Sequence, residues 1–235
     1  MPEPASNAEL MRSLGRLVRG LSALFWGLPL ALVVCVWTAN PQWLRVLGII
    51  PPLACTGLLL YGLIKLGGFQ RQERIWQNAL DRARVLALVN CGLSPFLYWW
   101  SRVPAHPFLM AMVIILALSS LLFLASLNLV LQRLGAILPD EALRHEIRAC
   151  TAINLNVLGI TFALVAAYVL LSNIDTAQFQ KALAWLGWAL TFLDRRGPWL
   201  LVVPLVLVLL PVAMTMAMLW KTKDVILENV FGRKE

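Results

Sequence analysis

The residues of this chain with most capacity for chemistry are few: His106 and His145, the four cysteines, and Asn90, Asn128, Asn154 and Asn156 within or beside apolar runs. Together they do not describe a catalytic centre. Cys35, Cys55, Cys91 and Cys150 are scattered, with no C-x-x-C and no Cys/His cluster, so neither a disulfide framework nor a zinc site is expected and the thiols read as small apolar residues. The two histidines fall on opposite sides of the membrane layout derived below, so they cannot share one haem or metal. No cofactor or metal is implied. The nucleotide, hydrolase and metalloprotease motifs are also missing, so a non-catalytic protein is expected. The asparagines suit a different task. Their amides can bond between helices in an apolar medium, or line a path for a neutral substrate.

The elements that must position these groups are apolar. Of 235 residues, 60% are hydrophobic, against about 45–50% in soluble domains. The expectation is an all-α integral membrane protein with six transmembrane helices: Leu21–Ala39, Val46–Ile64, Val85–Trp100, Pro107–Leu131, Thr151–Leu171 and Pro198–Trp220. The first is read as a retained signal anchor, because Trp37 stands where a cleavage site needs a small residue. Residues 182–193 are too short to span. Their leucines recur at three- and four-residue spacing, as in an outer-face interfacial or re-entrant helix.

Charge orients this layout. With the N-terminus in the cytoplasm, the inner segments hold fifteen of the basic residues and the outer segments five, as the positive-inside rule requires. Both termini are then cytoplasmic, and a bacterial inner membrane is the expected location. Most tryptophans fall at span ends, where an aromatic belt is expected. The net charge of +8 points to anionic lipid rather than nucleic acid, since no contiguous soluble domain could carry a groove-reading element.

The basic residues concentrate in amphipathic stretches before the odd-numbered spans. "ELMRSLGR" carries Arg12 and Arg16, with Arg19 following, and "EALRHEIR" carries Arg144 and Arg148. The stretch "FQRQERIWQNALDRAR" carries Arg71, Arg74, Arg82 and Arg84. Each reads as a cytoplasmic amphipathic helix resting on anionic headgroups or on another membrane subunit. The same spacing suggests three hairpins in one orientation, residues 8–68, 78–135 and 141–220, as a possible tandem repeat within a single polytopic domain. Prolines 29, 51, 52, 95, 204 and 211 are expected as packing kinks.

Three function classes remain. The span cores contain no Asp, Glu, Lys, Arg or His, which argues against proton- or sodium-coupled transport through carboxylates. The first expectation is therefore an accessory, scaffolding or assembly subunit of a larger membrane complex. The second is a transporter or channel for a neutral or lipidic substrate. The third is an interfacial lipid-modifying enzyme using an outer-face polar cluster of Arg102, His106, Asp194, Arg195 and Arg196.

Overall fold

The computed structural model describes residues 4–39, 47–68, 74–137, 141–172 and 199–231. They form six α-helices: α1 (Pro4–Ala39), α2 (Ile50–Leu66), α3 (Arg74–Arg102), α4 (Pro107–Ile137), α5 (Glu141–Ser172) and α6 (Trp199–Phe231). Consecutive helices pack side by side in alternating direction, and α6 returns against α1, which closes a ring. The protein is a multi-pass, all-α membrane protein, but six spans is a misreading. Among the described residues, three helical segments are long and apolar enough to cross: Met11–Ala39, Pro107–Ile137 and Arg144–Ala167.

The physical reasons differ by helix. The span placed at Val46–Ile64 starts later, after a turn at residues 47–49 in which Gly48 takes φ +59. Pro51 and Pro52 then occupy the first turn of α2, where a missing N–H costs nothing, so they begin a helix rather than kink one. The resulting 17 residues reach only about 25 Å, short of a ~30 Å hydrocarbon core. In α3 the charged stretch does not break from the apolar one. Arg74 to Arg102 is one continuous helix, so the apolar part between Arg84 and Arg102 is again about 25 Å long.

The basic stretches are likewise not separate amphipathic helices. The described residues of each form the first part of a long helix, with α1 beginning at Pro4. Part of each apolar face turns into the bundle. Leu17, Leu21, Leu24 and Leu28 of α1 are buried with Leu59, Leu63 and Leu66 of α2. Trp76, Leu80, Ala83 and Ala87 of α3 join the same core. Trp76 is 1% exposed and so is a core residue, whereas Trp37, Trp99 and Trp220 remain exposed as belt residues would be.

Glycine sets the closest approach. A Cβ on Gly20 would lie 2.9 Å from the Gly62 carbonyl oxygen, and a Cβ on Gly62 would lie 3.1 Å from that of Gly20. Two backbones therefore touch where α1 crosses α2, as small residues allow between helices in lipid. At the far side of the ring, Phe25 of α1 stacks near Trp220 of α6, with centroids 5.4 Å apart. Lys221 of α6 pairs with Glu146 of α5, both about half exposed. Solvent screening limits such a pair, so Lys221→Ala is expected to cost no more than ~1 kcal/mol. Unfolding in mild detergent measures this, and a loss several times larger would contradict it.

Candidate functional site

The ring encloses a cavity of about 330 Å³ to which all six helices contribute. Its walls are Leu28, Leu59, Leu116, Phe123 and similar side chains, with polar atoms only from Cys35, Thr56, Asn90, Ser94, Ser120 and Thr161. Most hydroxyls are already committed. Thr56 Oγ1 donates to the Pro52 carbonyl at 2.8 Å and lies 3.4 Å from Ser94 Oγ. Ser94 donates to the Cys91 carbonyl at 2.9 Å, Ser120 to that of Leu116 at 2.8 Å and Thr161 to that of Val157 at 2.8 Å. These bonds to preceding-turn carbonyls satisfy the hydroxyls within their own helices. Asn90 differs: it is 6% exposed, and its Oδ1 is buried with no donor. A buried acceptor without a partner is costly, and Asn90 is among the lining residues. None of the lining residues carries a formal charge.

Beside the cavity lies a buried polar knot that joins three helices. Asn154 of α5, Asn128 of α4 and Thr215 of α6 are all 0% exposed. Asn154 Nδ2 faces Asn128 Oδ1 at 3.0 Å, Thr215 Oγ1 at 3.0 Å and the Pro211 carbonyl at 3.2 Å. Asn128 Nδ2 donates to the Leu124 carbonyl at 2.8 Å and to Thr215 Oγ1 at 3.1 Å. Thr215 donates to the Pro211 carbonyl at 2.7 Å. Pro211 and Leu124 line the cavity as well, so the knot forms one flank of its wall.

Thr215 is absent from the polar residues singled out in the sequence. The signal available was its place four residues after Pro211, where a hydroxyl can bond the proline's own carbonyl. The four asparagines are divided three ways. Asn128 and Asn154 meet, Asn90 faces the cavity, and Asn156 is exposed on the outer face of α5.

The other sequence-derived candidates do not converge. Arg102 donates to the Tyr98 hydroxyl at 2.7 Å and lies 5.2 Å from the centre of that ring. His106 is exposed and meets Phe108 edge-on, with centroids 6.4 Å apart. Asp194, Arg195 and Arg196, and the helix expected at 182–193, lie outside the described residues. So does Arg71. Arg12, Arg16, Arg19, Arg74, Arg82 and Arg148 are exposed along α1, α3 and α5, while Arg144 reaches the Ala136 carbonyl at 3.2 Å. Among the described residues no group of His, Cys, Asp and Glu is placed to hold a metal. No protein-family model matches the chain, and neither a curated protein nor a solved structure matches it significantly.

Proposed function

We propose that the protein is a non-catalytic, membrane-embedded binding protein or carrier for a neutral, largely apolar molecule with one hydrogen-bond donor. The observation that carries this reading is the uncharged cavity lined by all six helices, with Asn90, whose buried Oδ1 has no donor, among its lining residues. At about 330 Å³ it falls at the small end of ligand cavities, ~300–1,000 Å³. Uncharged walls favour an uncharged occupant, because a buried ion would lack a counter-charge. An alcohol or amide N–H that met the Asn90 side chain, turned to present its Oδ1, would satisfy that acceptor. The excess of basic residues at the end that holds the N-terminus of α1 supports placing that end on the cytoplasmic side of a bacterial inner membrane.

Cys35 lines the cavity and provides a native probe. In a chain whose Cys55, Cys91 and Cys150 are replaced by alanine, a water-soluble methanethiosulfonate is expected to label Cys35 in membranes. Widening Ala87 to phenylalanine is expected to slow that labelling and to deplete any apolar molecule that co-purifies. If Cys35 resists the reagent under all conditions, the carrier reading fails.

A second reading, membership of a larger membrane assembly, is favoured by Asn156. It is exposed at mid-helix between Ile153 and Ile160, with Gly159 and Ala163 on the same outward face. A lipid-facing amide is unfavourable, whereas small residues flanking an Asn suit close contact with another helix. Mild solubilisation that yields a partner lost on Asn156→Leu would support it. A monodisperse lone monomer would count against it.

A further inference from the structure

We propose that the groove where α1, α2 and α3 meet at the basic end of the bundle binds the phosphate group of an anionic membrane lipid. This site is separate from the central cavity. A space of about 600 Å³ lies there, bordered by Arg16 of α1, Lys65 at the end of α2, the Gly67-Gly68 turn, and Gln77 and Arg84 of α3. Three cations thus surround one space, and the described residues place no carboxylate in its lining. Asp81 of α3 is taken by Arg84 at 2.9 Å. Arg16 and Lys65 meet no carboxylate among the described residues.

Two buried donors near the groove lack acceptors, Gln77 Nε2 on a neutral amide and Arg84 Nε on the guanidinium itself. A phosphate offers several acceptor oxygens and would satisfy donors that the fold leaves open. The turn makes room for Arg84 by the lack of a side chain at Gly67, where a Cβ would fall 1.6 Å from Arg84 Nη2; Arg16 Nη1 lies beside Gly68, 3.5 Å from where a Cβ would stand. Arg84 is itself held, since its Nη2 also donates to the Leu63 carbonyl at 3.4 Å. It is therefore a pre-positioned cation at a helix C-terminus, where positive charge is favoured.

The surroundings specify a lipid. Ile64 lines the groove and is exposed, and Tyr61 and Ile75 are exposed on the neighbouring turns of α2 and α3. An apolar surface thus runs up to a cationic recess, which matches an acyl chain joined to a phosphate. Basic recesses between helices at a membrane face are a recognised setting for anionic headgroups.

The test uses the full chain in neutral detergent, with bound lipid counted by native mass spectrometry during titration with phosphatidic acid, phosphatidylcholine or inorganic phosphate. Phosphatidic acid is expected to bind in preference to phosphatidylcholine. The Arg16→Gln/Lys65→Gln pair removes groups that make no ion pair within the described structure, so it should keep its thermal stability. It should weaken phosphatidic acid binding by roughly tenfold or more, as the loss of charge-assisted bonds implies. Gln77→Leu, which removes a buried unpartnered amide, should also weaken lipid binding without lowering stability. Arg133→Gln, on α4 away from the groove, should bind as the parent does. Equal binding of the two lipids, or unchanged binding in both groove variants, overturns the proposal. Displacement of the lipid by an equal concentration of inorganic phosphate would overturn the assignment to a lipid.

Discussion

Gly20→Val is expected to destabilise the bundle by about 2–3 kcal/mol, the upper range for forcing extra methyl groups into a packed contact. The obstacle is backbone. The first added carbon meets the Gly62 carbonyl oxygen at 2.9 Å and the Leu66 backbone nitrogen at 3.2 Å, so no rotamer change can relieve it. The helices α1 and α2 must separate instead. That would loosen the leucine seam of Leu17, Leu21 and Leu24 against Leu63 and Leu66. Gly57→Val is the matched control, because a Cβ there meets nothing within 4 Å. Valine is a somewhat better helix former than glycine, so the control should be neutral or slightly stabilising. Unfolding by a denaturing detergent, followed by circular dichroism, gives both values. Equal losses at the two positions would show that α1 and α2 do not touch at Gly20.

The second large effect belongs to the buried knot. Asn154→Leu removes the amide that faces Asn128, Thr215 and the Pro211 carbonyl. It leaves Asn128 Oδ1 with only a 3.4 Å approach from Thr215 Oγ1, whose proton is directed to Pro211 at 2.7 Å. Single hydrogen bonds between membrane helices average ~0.6 kcal/mol and reach ~2 kcal/mol. Stranding a buried acceptor adds a desolvation cost of ~1–3 kcal/mol. A net loss of about 2 kcal/mol is expected, with α5 and α6 loosening from α4 first. Asn156→Leu, two residues along the same helix, is the contrast. Its side chain points outward, so in the isolated protein the change should be neutral or favourable. Should the two substitutions cost the same, the knot contributes nothing beyond helix propensity.

Much of the chemistry was legible before any coordinates. The absence of charge from apolar runs follows directly from composition, and the cavity walls reflect it. The leucine face of α1 and the Trp76, Leu80 and Ala83 face of α3 were visible as helical spacing. Spacing does not say what an apolar face meets, however. In an amphipathic segment beside a membrane, lipid and a neighbouring helix are equally apolar partners. The basic stretches therefore read as separate amphipathic helices on headgroups or another subunit, whereas their described residues run without a break into longer helices and carry apolar side chains into the core. The same ambiguity inflated the number of spans. A run of apolar residues such as Val46–Ile64 has no mark showing where the helix starts, and Pro51-Pro52 reads equally as a kink or as a first turn.

A helical membrane protein with uncharged apolar runs and basic ends was already specified by residue order. Those properties depend on residue type and local period, which solvent and hydrocarbon select one residue at a time. Only the tertiary fold showed that, among the described residues, three helical segments rather than six are long and apolar enough to cross. It also decided which asparagines meet, that Asn90 faces a cavity, and that Arg16, Lys65 and Arg84 surround one recess. The physical reason is that these facts depend on helix rotation and crossing distance. Both are set by contacts between residues far apart in the chain, such as Gly20 with Gly62 and Asn128 with Thr215.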